Sequence, residues 1–260
     1  MKKTVQTVLL TLYRVFRASG AMATPTGRRI FLAAYVAYKK LWEADLSHVR
    51  ALVRPSAWIV DIGANVGTFS RTFCGWVSGG GRVLAFEPEA KNFESLSRTA
   101  EQPLLRDLLD CRQCLVAEVD GELPLLLNPD NPADHRIGST GIPTRSVRLD
   151  TVMAELAWPA VSLIKIDVQG AEARVLEGAR ETLARSRPVL VMEIDDRALE
   201  AFGSSPRKIE GHLEELGYRM FAADERGFRS RLDFVRAARI RSRLGYADFV
   251  FVPEERVPRT

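Results

Sequence analysis

Asp61, Glu87, Asp167 and Glu193 each fall at or near the end of a short apolar run. Carboxylates so placed can bind hydroxyl groups, attract cations or take up a proton. The first run, Trp58-Ile59-Val60-Asp61-Ile62, leads directly into Gly63-Ala64-Asn65-Val66-Gly67. Without a Cβ at Gly63 a ligand can approach the backbone, and Gly67 allows the next helix to pack closely. Glu87 follows Gly63 by 24 positions at the end of Arg82-Val83-Leu84-Ala85-Phe86. A carboxylate there can accept hydrogen bonds from both ribose hydroxyls of an adenosine.

That geometry serves NAD and S-adenosylmethionine (SAM) alike. Two residues separate them. Asn65 stands where a pyrophosphate usually demands glycine, and Asp61 brings a negative charge to the turn. An acid there repels a pyrophosphate and suits the sulfonium and ammonium groups of SAM. The cofactor set read from the sequence is Asp61, Gly63, Asn65, Gly67, Glu87, Pro88, Ala117 and Asp167. The competing classes are an NAD(P)-dependent oxidoreductase on a similar sheet and a non-catalytic SAM-binding module.

Asp167 and Glu193 are the strand-end candidates for catalysis, and Asp167 serves either as base or as partner of the SAM amino group. The two carboxylates could instead hold a Mg²⁺-like ion, by position-level analogy with catechol-type methyltransferases, but no metal is assigned. His135 is a further candidate base, because an imidazole titrates near neutrality. It lies in Asn128–Gly141, a stretch rich in Pro, Asn, Asp and Gly that reads as a substrate lid. Glu172 reads as a first-turn helix acid, His48 and His212 as ordinary helix residues, and Lys165 receives no role. Cys111-x-x-Cys114 lacks a second Cys or His pair, and on a strand the two sulfurs diverge. Both read as buried small hydrophobes.

The elements that must carry these residues alternate. Apolar runs at 58–63, 82–87, 111–118, 161–167, 188–194, 218–222 and 247–252 read as strands. Helices are expected at 68–77, 92–100, 171–185 and 206–216, with a hairpin from 123–127 and 144–149. This is an α/β pattern, a seven-stranded, mostly parallel sheet with helices on both faces. Residues 1–54 read as a basic helical extension broken around Ser19–Gly27, and residues 55–260 as the main domain.

Several of these blocks resemble the FkbM family of SAM-dependent methyltransferases. They are Asp61-Ile62-Gly63-Ala64-Asn65-Val66-Gly67, Phe86-Glu87-Pro88, Asp120-Gly121, Leu149-Asp150 and Ile164-Lys165-Ile166-Asp167-Val168-Gln169-Gly170-Ala171-Glu172. Val175-Leu176-Glu177-Gly178-Ala179 and Arg187-Pro188, followed by Glu193, extend the match to about residues 55–252. The resemblance implies a Rossmann-like class I fold and oxygen methylation of sugars, polyketides or similar metabolites. Many members carry Glu where this chain has Gln169, which argues against a catalytic carboxylate there.

Residues 1–54 hold ten Lys or Arg against Glu43 and Asp45, and a second basic run extends from Arg226 to Arg243. Such runs favour acidic partners. The expected acceptor is a small molecule or glycan, with no nucleic acid; peripheral membrane contact through the N-terminus is the other partner considered. Three cysteines, no convincing signal peptide and no run long enough to span a bilayer read as a soluble cytoplasmic protein.

Overall fold

The computed structural model describes residues 2–21, 24–42, 46–131, 134–223, 228, 232–241 and 245–258. Of the C-terminal basic run, Arg226, Arg229, Arg231 and Arg243 lie outside the described residues. Strands β1 (Trp58–Ile62), β2 (Val83–Phe86), β3 (Leu109–Arg112), β4 (Leu115–Val116), β5 (Gly121–Leu126), β6 (Arg136–Ile137), β7 (Ile142–Val147), β8 (Val161–Ile166), β9 (Val189–Asp195), β10 (Tyr218–Ala222) and β11 (Tyr246–Pro253) form two sheets. The larger has the order β10-β11-β9-β8-β1-β2-β3, with β11 antiparallel to both of its neighbours and the other pairs parallel. This is the Rossmann-like class I SAM-dependent methyltransferase fold. The smaller sheet, β4-β7-β5-β6, stands apart from it.

The helices are α1 (Lys2–Ala18), α2 (Pro25–Trp42), α3 (Thr68–Cys74), α4 (Ala90–Ala100), α5 (Leu149–Glu155), α6 (Glu172–Glu177), α7 (Arg180–Ser186), α8 (Asp196–Ala201), α9 (Pro206–Glu215) and α10 (Phe234–Arg241). Strand alternation assigns them to two cores. Val60, Ile62, Leu84, Phe86, Ile164 and Ile166 face α5 to α10 through Leu149, Val152, Leu176, Leu183, Leu199, Leu213 and Ala237. Ile59, Val83, Ala85 and Leu163 pack on the other face with Phe73, Leu96 and the segment carrying Leu46, Val49 and Val53.

Four expectations need correction. The strand expected at 111–118 divides between β3 and β4, in different sheets. The helix expected at 171–185 breaks at Gly178–Ala179, where the Asp150 N–H donates to the Gly178 carbonyl at 2.9 Å and the Asp150 carboxylate accepts the Glu181 and Thr182 N–H groups that start α7. The lid stretch Asn128–Gly141 contributes β6 to the small sheet, paired with β5. Leu149, expected to end a hairpin arm, instead opens α5. The arms themselves pair as expected, with Leu123 opposite Thr144.

Cys114 is buried, Cys111 half-buried, and both are free thiols. Burial pushes them up, to about 12 for Cys111 and about 11 for Cys114, away from the thiolate form that binds metals.

Candidate functional site

Parallel strands deliver their carboxyl ends to one edge of the sheet, where β2, β1, β8 and β9 lie side by side. At the end of β1 the chain turns through Gly63, at φ 80°. A Cβ there would come within 1.9 Å of the Asp167 carbonyl oxygen, so only glycine lets the ends of β1 and β8 meet. The Asp167 N–H also donates to the Ile62 carbonyl at 3.0 Å. Asn65 follows at φ 51°, a left-handed conformation asparagine tolerates. Gly67 precedes α3, and its close neighbour is Leu96 of α4 rather than the helix that follows it.

The left-handed turn aims the Asn65 N–H at Glu87, whose Oε2 accepts it at 2.9 Å. The Glu89 N–H donates to Glu87 Oε1 at 3.0 Å. Glu87 is 5% exposed, and burial pushes its carboxyl up to about 7 against the pull of these backbone donors. Pro88 is half-buried between the two glutamates, and Glu89 caps α4 by accepting the Asn92 N–H at 2.8 Å.

Side chains, rather than backbone, organise the β1, β8 and β9 ends. Asp61 and Lys165 are register partners and share a face with Asp167. Lys165 Nζ lies 3.1 Å from Asp167 Oδ2, 3.8 Å from Asp61 Oδ1 and 4.9 Å from the centre of the Phe69 ring. Lys165 was given no role on sequence alone, yet its spacing of two from Asp167 is the signal that they meet on one side of a strand. Asp61 is fully enclosed and accepts the Ser70 hydroxyl at 2.6 Å. It therefore lies beneath the site, acting through its charge and through Lys165 rather than by touching a ligand in this conformation. The Gln169 amide donates to Asp167 Oδ1 at 3.2 Å and to Glu193 Oε1 at 3.1 Å. Two carboxylates, Asp61 and Asp167, thus flank one ammonium, and Glu193 joins them through Gln169, so these strand ends carry more negative than positive charge.

The other candidates stand differently. Ala117 is completely buried in a cluster with Leu115, Leu125, Ile137 and Ala171, and its N–H is taken by the Val147 carbonyl. It offers a ligand no surface, which corrects its place in the cofactor set. His135 Nδ1 accepts the Asn128 N–H at 3.1 Å. In the neutral ring that bond places the proton on Nε2, so His135 is tied as a loop clasp and not free to act as a base. Burial holds its pKa below the usual histidine value. Glu172 accepts the Gly170 N–H at 3.1 Å within the β8–α6 turn, and burial pushes it up to about 7.

Asp120 and Asp150 prove structural. Asp120 accepts the Arg148 N–H and the Thr151 hydroxyl, each at 2.8 Å. Asp150 takes the Glu181 N–H at 3.0 Å and the Thr182 N–H at 2.8 Å, capping α7.

Among the described residues, no group of three or more His, Cys, Asp or Glu is placed to hold a metal ion. The residues do fit SAM. Glu87 is a preoriented acceptor for hydroxyl donors, and the acidic strand ends favour positive charge.

Comparison with known proteins agrees. The methyltransferase FkbM domain matches residues 61–220. Methyltransferase sdnD of Sordaria araneosa is 28% identical over 224 residues, covering 72% of this chain and 83% of sdnD. The 31-O-demethyl-FK506 methyltransferase FkbM of Streptomyces tacrolimicus is 29% identical over 195 residues, 62% of this chain and 73% of that protein. AMB antimetabolite synthetase AmbE of Pseudomonas aeruginosa is 27% identical over 182 residues, 55% of this chain, but the chain spans only 8% of its length. The crystal structure of methyltransferase FkbM from Methylobacillus flagellatus KT shares the fold, with a TM-score of 0.51 and 18% identity over 86% of this chain and 52% of that one. With the family domain running from Asp61 across the strand-end residues, the chain belongs to the FkbM family of methyltransferases.

Proposed function

We propose that the chain transfers the methyl group of SAM to a hydroxyl oxygen of a sugar, glycan, polyketide or other secondary metabolite. The observation that carries this reading is the acidic row at adjacent strand ends: Glu87, then Asp61 beneath Gly63, then Asp167 and Glu193. It suits a cationic cofactor carrying ribose hydroxyls. The name of the S. tacrolimicus relative places its own methyl transfer on oxygen, which supports the same choice here.

SAM, when bound, supplies a methyl group on a positively charged sulfur, leaving alignment and removal of the acceptor proton to the protein. Glu87 accepts the ribose hydroxyls while Asn65 and Glu89 fix its two oxygens. Asp167, 22% exposed at its side chain, is the base for the acceptor hydroxyl. Lys165 and Gln169 each hold one of its oxygens and so orient it. Glu193 shares the Gln169 amide at the neighbouring strand end.

The test supplies methyl-labelled SAM with a panel of hydroxylated sugars and polyketides and follows S-adenosylhomocysteine (SAH) release. Label on an ether oxygen is the expected result. Label on nitrogen or carbon would overturn the oxygen assignment. SAM binding without turnover across the panel would favour a non-catalytic module.

A further inference from the structure

The N-terminal helix α1 is committed on two sides and bare on a third. Tyr13 and Phe16 pack against Phe31 and Tyr35 of α2, which also meet Val66 of the cofactor turn, and the Tyr13 and Phe31 rings lie 4.9 Å apart. Arg17 donates to the Pro129 carbonyl at 2.6 Å and to Asp130 Oδ1 at 3.3 Å, so the helix also grips the loop after β5. Val8, Leu12 and Val15 point elsewhere. They are 54%, 47% and 56% exposed, and their spacing of four and three places them on one helical stripe.

An apolar stripe held out to water calls for an occupant. The charge of the segment selects it. Residues 1–42 contain eight Lys or Arg and no Asp or Glu. A second copy of the chain docking stripe to stripe would bring two such segments together and set like charges against each other. An anionic lipid surface offers apolar depth and the opposite charge at once. No described helix is long and apolar enough to cross a membrane, which leaves a surface contact.

We propose that α1 lies flat on an anionic bilayer surface with Val8, Leu12 and Val15 in the interfacial layer. Because α1 packs on α2, whose Phe31 and Tyr35 meet Val66, and also holds Asp130, docking would bring this side of the domain toward the lipid surface. The inference goes beyond methyl transfer and stands or falls separately from it.

The test is co-sedimentation of the full chain with phosphatidylcholine vesicles, with and without phosphatidylglycerol. Phosphatidylglycerol vesicles should carry the chain down, and binding should fall ~10-fold or more as salt rises toward ~0.5 M. Pure phosphatidylcholine should leave the chain in the supernatant. Val8→Ser, Leu12→Ser and Val15→Ser together should weaken binding ~10-fold or more while circular dichroism and SAM affinity match wild type. Leu12→Trp should gain a blue-shifted emission with the anionic vesicles. Undiminished binding by the triple-serine variant, or no shift from the added indole, would overturn the proposal. So would a lipid-free dimer that the serine substitutions abolish, because the stripe would then face a second copy.

Discussion

Two sets of carboxylates occupy neighbouring strand ends and are held in opposite ways. At the end of β2, both oxygens of Glu87 are fixed by main-chain N–H groups of Asn65 and Glu89. At the ends of β1, β8 and β9, Asp61, Asp167 and Glu193 are organised by Lys165 and Gln169 side chains. Backbone donors cannot be substituted away, so the β2 end is a fixed clamp suited to one unvarying ligand part. Side-chain donors can be exchanged, so the other end is where charge and chemistry can be tuned. On the proposed function, the clamp would hold the cofactor ribose and the side-chain end would meet the acceptor.

The largest effect should come from Asp167→Asn, which keeps shape and removes charge. As the base, it should lose turnover by ~10²-fold or more while SAM affinity changes little. Equal turnover at saturating SAM would remove Asp167 from the chemistry. Glu87→Ala should act on the other end, weakening SAM binding by about 1–3 kcal/mol through loss of the ribose acceptor. Unchanged affinity in calorimetry would take Glu87 out of the site. Gln169→Glu should convert the tunable end. It replaces the amide donor between Asp167 and Glu193 with a third carboxylate, so Mg²⁺ or Mn²⁺ should bind and shift the melting temperature upward. A variant blind to both ions would show that the three oxygens do not converge.

The smallest expected effect separates burial from function. Glu172, like Glu87, is buried and raised to about 7, but it serves the β8–α6 turn. A carboxyl raised from about 4.5 to about 7 favours folding at low pH, and that contribution is lost as pH rises through 7. Glu172→Gln should therefore melt ~2–5 °C higher than wild type at pH 8 and show a smaller gain at pH 5. Scanning calorimetry giving the same difference at both values would contradict the titration.

The clamp was legible in the chain because its residues are local to strand ends, where Gly63, Asn65 and Glu87 mark turns by type. The ribbon pattern of β1, β2, β8, β9 and β10 was legible for the same reason, as continuous apolar runs. The tunable end was read only in part. Asp167 and Glu193 were visible, but the link between them is the Gln169 amide, whose orientation depends on a left-handed backbone at φ 55°. Ala117 misled because a strand-end residue can be wholly covered by neighbours far away in sequence, here Leu125, Ile137 and Ala171. The split at Gly178 likewise depends on Asp150, 28 positions earlier, and no local pattern announces such a contact. Helix α5 was within reach, since Leu149, Val152 and Met153 repeat at helical spacing. Helix α8 was too, with Asp195 as its cap.

The most direct test of the clamp is titration of SAM and NAD⁺ by calorimetry at pH 8 and pH 6. Ribose hydroxyls donate to the ionised carboxylate, and Glu87 titrates near 7, so protonation competes with binding. The account predicts SAM heat at both values, affinity ~10-fold weaker at pH 6, and no heat with NAD⁺. Saturable NAD⁺ binding in the absence of SAM binding would contradict it.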